Sequence, residues 1–437
     1  MTKWRTSVTE RISYGLSDAA DNLVFQMMTT YLLFFYTDVF GLTASEVAIL
    51  FVVARTADVF ESLIIGIMID KTHSRWGKSR PFFLWYSFPY VVFAVLTFVT
   101  PNFLPHDGKL VWAYVTYLGL GFLYTSVNLP ITAILPTMTD NEREMTLLGV
   151  IRQFFGSSVQ IIVAVFTIPL VAFFGHGNQQ KGFLATIALF GVISLLLILN
   201  TFFHVRERFT NEQINHQPFK EVWKMLRNNK PWIVISVVIF LYWLTTSIKN
   251  QTTIYYFKYV INDENLVSLA NAFTFTALIG VVSIYFVSAK IGKKKTMLTG
   301  IVIAFLGQIL ITVGAYSKAL PTIFTGIFIN YLGAGFIIGL VSIMIADTIR
   351  YGTAMGIQAE GVLASTDDFG VNLGLGLGGM ITAWSLDASG YAANKTQTAA
   401  TISAINLNYA LIPLGLYILM FIILLGYNEK QIMKAVN

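Results

Sequence analysis

The stretch Ala54-Arg55-Thr56-Ala57-Asp58-Val59-Phe60-Glu61-Ser62 sets an arginine and two carboxylates inside an apolar segment running from about Ser45 to Ile69. An apolar run of that length spans a bilayer as a helix. At helical spacing Arg55 and Asp58 share a face, as do Asp58 and Glu61, because each pair lies three residues apart. A charge near the bilayer centre costs about 2.5–3.5 kcal/mol on insertion scales. Three such charges on one helix exceed what packing alone requires. Intramembrane carboxylates line polar paths and handle cations or protons, so this segment reads as the coupling helix of a cation-driven carrier.

The composition around it agrees. Of 437 residues, 55% are hydrophobic and 12% are charged, about half the roughly 25% charge of a soluble domain. Membrane-length apolar runs recur from end to end, and the alternating segments of about 10 residues that mark a β-barrel do not. The expected fold class is therefore an all-α polytopic membrane protein. There is no cysteine, which removes disulfides and thiolate metal sites. The five histidines, His73, His106, His176, His204 and His216, form no paired-ligand motif, so no metal is expected beyond a possible Na⁺, and no enzyme. The N-terminal MTKWRTSVTER has no small-residue cleavage site before the first apolar run and reads as the start of an uncleaved first helix.

About twelve spans are expected: 16–38, 45–69, 81–101, 110–136, 147–174 and 182–204, then 231–256, 266–289, 296–316, 320–346, 360–386 and 406–426. Basic residues cluster in alternate loops, at Lys71, Arg75, Lys78 and Arg80, at Arg206 to Lys230, and at Lys290 to Lys295. The positive-inside rule then puts both termini in the cytoplasm of a cell that carries the chain in its cytoplasmic membrane. The +6 net charge is topological and implies no nucleic-acid partner. The domains expected are a six-helix bundle over 1–204, a cytoplasmic middle loop over 205–230 and a second bundle over 231–437. Asp70 to Lys78 after span 2 echoes Ala289 to Lys295 after span 8, and Asp140 to Glu144 after span 4 echoes Asp347 to Arg350 after span 10. Two similar bundles around a midplane site make a transporter architecture with alternating access.

Longer runs carry a family signature. They are Tyr14-Gly15-Leu16-Ser17-Asp18 with Asn22, Phe35-Tyr36-Thr37-Asp38-Val39-Phe40-Gly41-Leu42, Ala54-Arg55 with Asp58, and Ser74-Arg75-Trp76-Gly77-Lys78-Ser79-Arg80-Pro81. Further along come Leu135-Pro136-Thr137-Met138-Thr139, Tyr255-Tyr256-Phe257-Lys258-Tyr259-Val260 and Ala359-Glu360-Gly361. Through these the chain resembles the glycoside–pentoside–hexuronide:cation symporter family of the major facilitator superfamily, the melibiose-permease-like carriers. The resemblance implies two pseudo-symmetric six-helix bundles and a sugar conjugate carried with H⁺, Na⁺ or Li⁺. It implies no cofactor, and no phosphotransfer-type domain is expected on this chain.

The resemblance also assigns residues. Asp58 matches the leading carboxylate of the cation site and Thr125 a hydroxyl contributor. The family's Na⁺ site has Asn and Asp where this chain has Glu61 and Ser62. Moving the second acid by one position turns it by about 100°, and two close acids suit a proton. Asp58, Glu61, Ser62 and Thr125 are thus the cation-coupling candidates, with a structural Arg55–Asp58 ion pair as the alternative. Candidates for holding sugar hydroxyls are Asp18, Asp21 and Asn22 on span 1, Tyr124 and Asn128 on span 4, Arg152 on span 5 and Asn372 on span 11. Melibiose-type members carry acids at Asn22 and Asn128 and tryptophan at Thr132; Arg152 is retained. Amides still donate to and accept from hydroxyls, so sugar binding is expected without galactoside specificity, and the alternative is that these groups only join helices. Asn372 stands where the family often has lysine, with Asp367 and Asp368 close by, which argues against an anionic substrate. Gly374, Gly376, Gly378 and Gly379 are expected to serve helix packing. Lys249 either faces the site or pairs with Asp367 or Asp368. Asp70, Arg75, Lys78, Arg143 and Asp347 are the expected cytoplasmic gate, with topology alone as the alternative.

The reading is a symporter for a neutral disaccharide, β-glycoside or pentoside, with a sugar, a monovalent cation and membrane lipid as its partners. A lysolipid carrier of the same fold and a non-transporting sugar sensor are the competing classes.

Overall fold

Capping residues, more than apolar runs, decide where the helices begin. Ser7 accepts from the Glu10 amide, Thr43 and Glu46 close a capping box, and Asn141 and Asn178 accept from Arg143 and Lys181. These side chains satisfy amides that a helix start leaves without partners. The computed structural model describes residues 5–209, 229–354, 360–429 and 432. Its contacts divide the chain into two units, Met1–Ile214 and Asn215–Asn437.

In unit 1, α1 (Val8–Phe34) ends in a π turn, Phe35–Phe40. It is followed by α2 (Ala44–Lys71), α3 (Arg80–Trp85), α4 (Ser87–Thr97), α5 (His106–Met138), α6 (Glu142–Gly175) and α7 (Gln179–His204). In unit 2, α8 (Lys230–Tyr255) also ends in a π turn, Tyr256–Ile261. Then come α9 (Leu266–Ala272), α10 (Thr276–Ile291), α11 (Lys293–Ser317), α12 (Leu320–Ala354), α13 (Glu360–Ala388), α14 (Ala399–Asn406) and α15 (Ile412–Leu425). With α3–α4, α9–α10 and α14–α15 each forming one segment, the described residues make six long segments per unit. Nine of them are long and apolar enough to cross a membrane. Helix α2 fails that test because Arg55, Asp58 and Glu61 fall in every 18-residue window it offers. The chain is a multi-pass helical membrane protein.

The spans run further than their apolar stretches. Helix α1 starts at Val8, not 16, and α14 at Ala399, not 406, because polar caps and water-facing turns prolong helices past the apolar core. The third span is broken at Tyr86, between α3 and α4. In the last span Pro413 offers no amide to the Tyr409 carbonyl, and Gln308 of α11 supplies one, donating to Tyr409 and Ala410 at 3.1 Å. Gly374 and Gly378 bring α13 against α8: a Cβ at Gly374 would lie 2.8 Å from the Leu244 nitrogen.

Each unit closes its basic loop in the same way. In unit 1 the Glu207 carboxylate, just past α7, accepts from the amides of Lys78, Ser79 and Arg80 at 2.9, 2.8 and 3.0 Å. Arg80 in turn donates to the Phe202 carbonyl at 2.7 Å. In unit 2 the Glu429 carboxylate, just past α15, accepts from the amides of Lys293 and Lys294 at 3.0 and 3.2 Å, and Lys294 donates to the Leu425 carbonyl at 2.7 Å. The loops turn on Gly77 (φ 108°) and Gly292 (φ 82°), a left-handed backbone that glycine adopts without strain. This repeat lies in the backbone and is stronger than the sequence echo that announces it. Glu207→Ala is expected to lower the melting temperature of the purified protein, since it strips partners from three amides at about 1–3 kcal/mol for an unsatisfied group. An unchanged melting curve would show that water replaces the carboxylate at no cost.

The start of the chain is strapped down by a buried acid. Glu144 on α6 accepts from the Arg5 and Thr6 amides at 3.0 and 2.8 Å, from the Thr139 hydroxyl at 2.7 Å and from Arg11 at 3.2 Å. Arg5 also reaches Asp140, and its hydrogen bond holds that carboxyl below the ordinary aspartate range.

Candidate functional site

Three helices of unit 1 present polar side chains at helical spacing: Asp18, Asp21 and Asn22 on α1, Tyr124, Asn128 and Thr132 on α5, and Arg152 and Gln160 on α6. Residues four apart stand one above the other on a helix face, so each set forms a ladder. The ladders meet. Arg152 Nε lies 2.8 Å from Asp18 Oδ1, and its Nη1 donates to Thr132 Oγ1 at 3.0 Å. Asn22 Nδ2 donates to the Asp18 carbonyl at 2.8 Å and to its carboxylate at 3.2 Å. Gln160 Nε2 donates to Asn22 Oδ1 at 2.8 Å. Asn128 Nδ2 donates to Asp21 Oδ2 at 2.7 Å, and the Tyr124 ring stacks on Phe25 with centroids 4.9 Å apart. Between Arg152 and Gln160 sits Gly156, where a Cβ would fall 2.0 Å from Asp18 Oδ2. The glycine makes room for the ion pair.

The cluster thus unites the sugar-site candidates of unit 1, Asp18, Asp21, Asn22, Tyr124, Asn128 and Arg152. It adds Thr132, Gln160 and Gly156. Asn372 lies on α13 in unit 2, where it is exposed. Gln160 and Gly156 had a findable signal: they continue the Arg152 face of α6 at four-residue steps.

The same stripe of α5, about two turns toward its start, carries the second cluster, since Gly121 and Asn128 are seven residues apart and differ by about 20° of helix rotation. Tyr117, Gly121 and Thr125 follow one another at four-residue steps and face α2. A Cβ at Gly121 would lie 3.5 Å from Glu61 Oε2 and 3.7 Å from Asp58 Oδ1, so the two acids converge on the gap this glycine leaves. Arg55 Nη1 pairs with Asp58 Oδ2 at 2.9 Å, which realises the structural ion pair weighed from the sequence. Tyr117 bears on the same arginine. Glu61 is 8% exposed, and its Oε2 has no hydrogen-bond partner among the described residues. Ser62 does not join: its hydroxyl donates to the Asp58 carbonyl at 3.0 Å and it faces outward with Phe60, Leu63 and Ile64. The expected four-ligand set therefore reduces to Asp58 and Glu61, with Thr125 one turn along the facing helix.

Lys249 on α8 bonds Asn330 Oδ1 and lies 5.2 Å from the Tyr331 ring centroid. The side chains of Asp367 and Asp368 lie outside the described residues. Packing of Gly374 at Leu244 and Gly378 at Ser247 sets the register of α13 on α8. It places the backbone of that acidic turn about 20 Å along the helix from Lys249, at 1.5 Å per residue. Of the gate candidates, Asp347 pairs with Lys293 at 2.5 Å and Arg75 lies over Trp76 at 4.5 Å. Lys78 is held through its backbone by Glu207. Asp70 and Arg143 are exposed.

A family model described as MFS/sugar transport protein matches residues 13–429. The chain belongs to this family. Among curated relatives of this MFS protein is an isoprimeverose transporter of Lactiplantibacillus pentosus, 42% identical over 97% of this chain and 89% of its own length. A glucuronide carrier protein homolog of Escherichia coli is 30% identical over 99% and 94%, and a putative glycoside/cation symporter of the same species is 28% identical over 97% and 92%. The glycoside–pentoside–hexuronide:cation symporters are therefore its relatives, as the motifs imply. The fold is shared with a nucleoside transporter crystal structure at TM-score 0.69 and 16% identity, over 96% of this chain and 100% of that one.

Proposed function

We propose that this protein is a secondary symporter that imports a neutral glycoside, of the disaccharide or pentoside kind, with H⁺ or Na⁺ by alternating access. The observation that carries the reading is the paired clusters on α5. One stretch of a single α5 stripe meets hydrogen-bonding groups suited to sugar hydroxyls, with an aromatic pair beside them. The stretch two turns earlier on that stripe meets two converging acids of α2, one of which has an oxygen to offer. The 42% identity to an isoprimeverose transporter supports a pentose-containing glycoside. In this reading Arg152, Asn22 and Asn128 hold hydroxyls, Asp18 orients Arg152, and the Tyr124 ring covers a sugar C–H face. Asp58 and Glu61 bind the cation. A shared wall, α5, makes occupancy of one cluster felt at the other. The termini lie in the cytoplasm and the protein sits in the cell membrane, by the distribution of basic loops.

The test is uptake of radiolabelled glycosides, isoprimeverose first, into proteoliposomes under an imposed H⁺ or Na⁺ gradient. Accumulation of a glycoside above equilibrium under one gradient is expected. Failure with every glycoside under both gradients would overturn the sugar reading and return the amphiphile class to first place.

A further inference from the structure

Asp21 is a buried acid for which the symport scheme above has no use. It is 1% exposed, in the middle of α1. The cation nearest to it, Arg152, is taken by Asp18 at 2.8 Å, and among the described residues Asp21 makes no ion pair. Its neighbours are accounted for element by element. On α1 the charged neighbour is Asp18; on α6 it is Arg152; α5 contributes the Asn128 amide at 2.7 Å and the Tyr124 hydroxyl; α4 contributes Tyr90, whose hydroxyl donates to the Asp21 carbonyl at 3.3 Å. The carboxylate is therefore held by neutral donors, and the strongest of them, Asn128, belongs to the sugar cluster.

We propose that Asp21 is a second proton-binding site, separate from Asp58 and Glu61, and that it takes up a proton when sugar binds. This rests on the sugar reading above. A sugar hydroxyl that accepts from Asn128 Nδ2 draws that amide away from Asp21 Oδ2. A carboxylate that loses its donor in a site without a counter-charge is less favoured than the neutral acid. One proton moves from water to an Asp21 oxygen, forming one O–H bond, and returns to water when the sugar leaves and Asn128 swings back. Linkage makes the effect reciprocal: lower pH tightens sugar binding. Asp21 thus sets affinity, while Asp58 and Glu61 decide which loaded forms turn over.

The experiment is calorimetric titration of isoprimeverose into the purified full-length protein in two buffers of different ionisation enthalpy. The wild type is expected to take up about one proton per sugar, with affinity falling by up to about tenfold per pH unit. Asp21→Asn is expected to bind sugar without uptake, Asp21→Glu to restore it, and Asp58→Asn to leave it unchanged. Equal proton uptake by Asp21→Asn and wild type overturns the proposal, as does sugar heat without uptake in the wild type. No sugar heat in the wild type removes the sugar reading, and this one with it. Infrared difference spectra give a readout that does not depend on Asp21→Asn folding. Sugar must raise a protonated-carboxyl band in the wild type and in an Asp58→Asn, Glu61→Gln double variant, and its absence from either overturns the assignment.

Discussion

Replacing Arg152 by glutamine is expected to weaken sugar binding by about ten- to hundredfold, the worth of a charge-assisted hydrogen bond of about 1.5–3 kcal/mol, and to lower thermal stability as well. Arg152 holds Asp18 at 2.8 Å and Thr132 at 3.0 Å, with the Asp18 side chain 13% exposed and that of Arg152 24%. Removing one partner of a covered ion pair leaves a charge without compensation, at about 3–5 kcal/mol when burial is complete; here the lower end applies. Loss of stability alone would fit a residue that only joins α1 to α6. The double variant Asp18→Asn, Arg152→Gln separates the two roles. It removes both charges and is expected to recover the melting temperature of the wild type while sugar binding, followed by equilibrium titration, stays weak. Recovery of binding in the double variant would make Arg152 a helix clamp and leave Asn22 and Asn128 as the sugar contacts. Arg152→Lys is not a substitute, because a lysine cannot reproduce the planar fork that reaches Asp18 and Thr132 together.

The legible part of this site was its charge. An arginine and two acids in an apolar helix announce themselves, and so do Asn22, Asn128 and Arg152 at positions where lipid-facing residues would be apolar. What could not be read was made of groups without chemical signature. Gly156 and Gly121 matter because a Cβ at either would press on a carboxylate, and a missing methyl has no motif. Partner choice was equally hidden: that Asp18, not Asp21, takes Arg152 depends on the relative heights of α1 and α6. Ser62 shows the converse. Its place beside Glu61 suggested a ligand, yet one residue is about 100° of helix rotation, and its hydroxyl closes on the Asp58 carbonyl. The fold was read at the level of twelve spans. The ends were missed because Ser7, Asn141 and Thr398 cap helices beyond the apolar stretch. The π turns at Phe35–Phe40 and Tyr256–Ile261, which repeat between the units, have no period that a hydrophobic pattern reveals.

Asp58→Asn is expected to reduce gradient-driven accumulation to the level of equilibration while leaving sugar exchange intact. A one-unit pH gradient, or a tenfold Na⁺ gradient, coupled one ion to one sugar is worth about 1.4 kcal/mol and supports about tenfold accumulation. The variant is therefore expected to fall from about tenfold to about unity under such a gradient. The physical reason lies in the Gly121 gap. Asp58 and Glu61 point oxygens into it from 3.7 and 3.5 Å, and Arg55 already compensates one charge. The site as it stands carries one net negative charge to be matched by one monovalent cation. The Asp58→Asn change leaves Arg55 and Glu61 as a neutral set, already balanced without the ion. A carrier that is balanced when empty changes orientation whether or not the cation is bound, and the gradient then does no work on the sugar. The sugar cluster is joined by Arg152–Asp18, Gln160–Asn22 and Asn128–Asp21, none of which uses Asp58, so it keeps its contacts and counterflow of labelled against unlabelled sugar continues. Measuring uptake and counterflow on the same proteoliposomes decides the matter. Loss of both would mean that Asp58 supports the fold or the sugar site, and retention of uphill uptake would move the coupling elsewhere. Glu61→Gln is the companion variant. It removes the acid that has no ion-pair partner among the described residues and leaves the Arg55–Asp58 pair neutral, so it too is expected to uncouple by the same charge argument. If Glu61→Gln accumulates sugar normally, the net-charge account of this site is wrong.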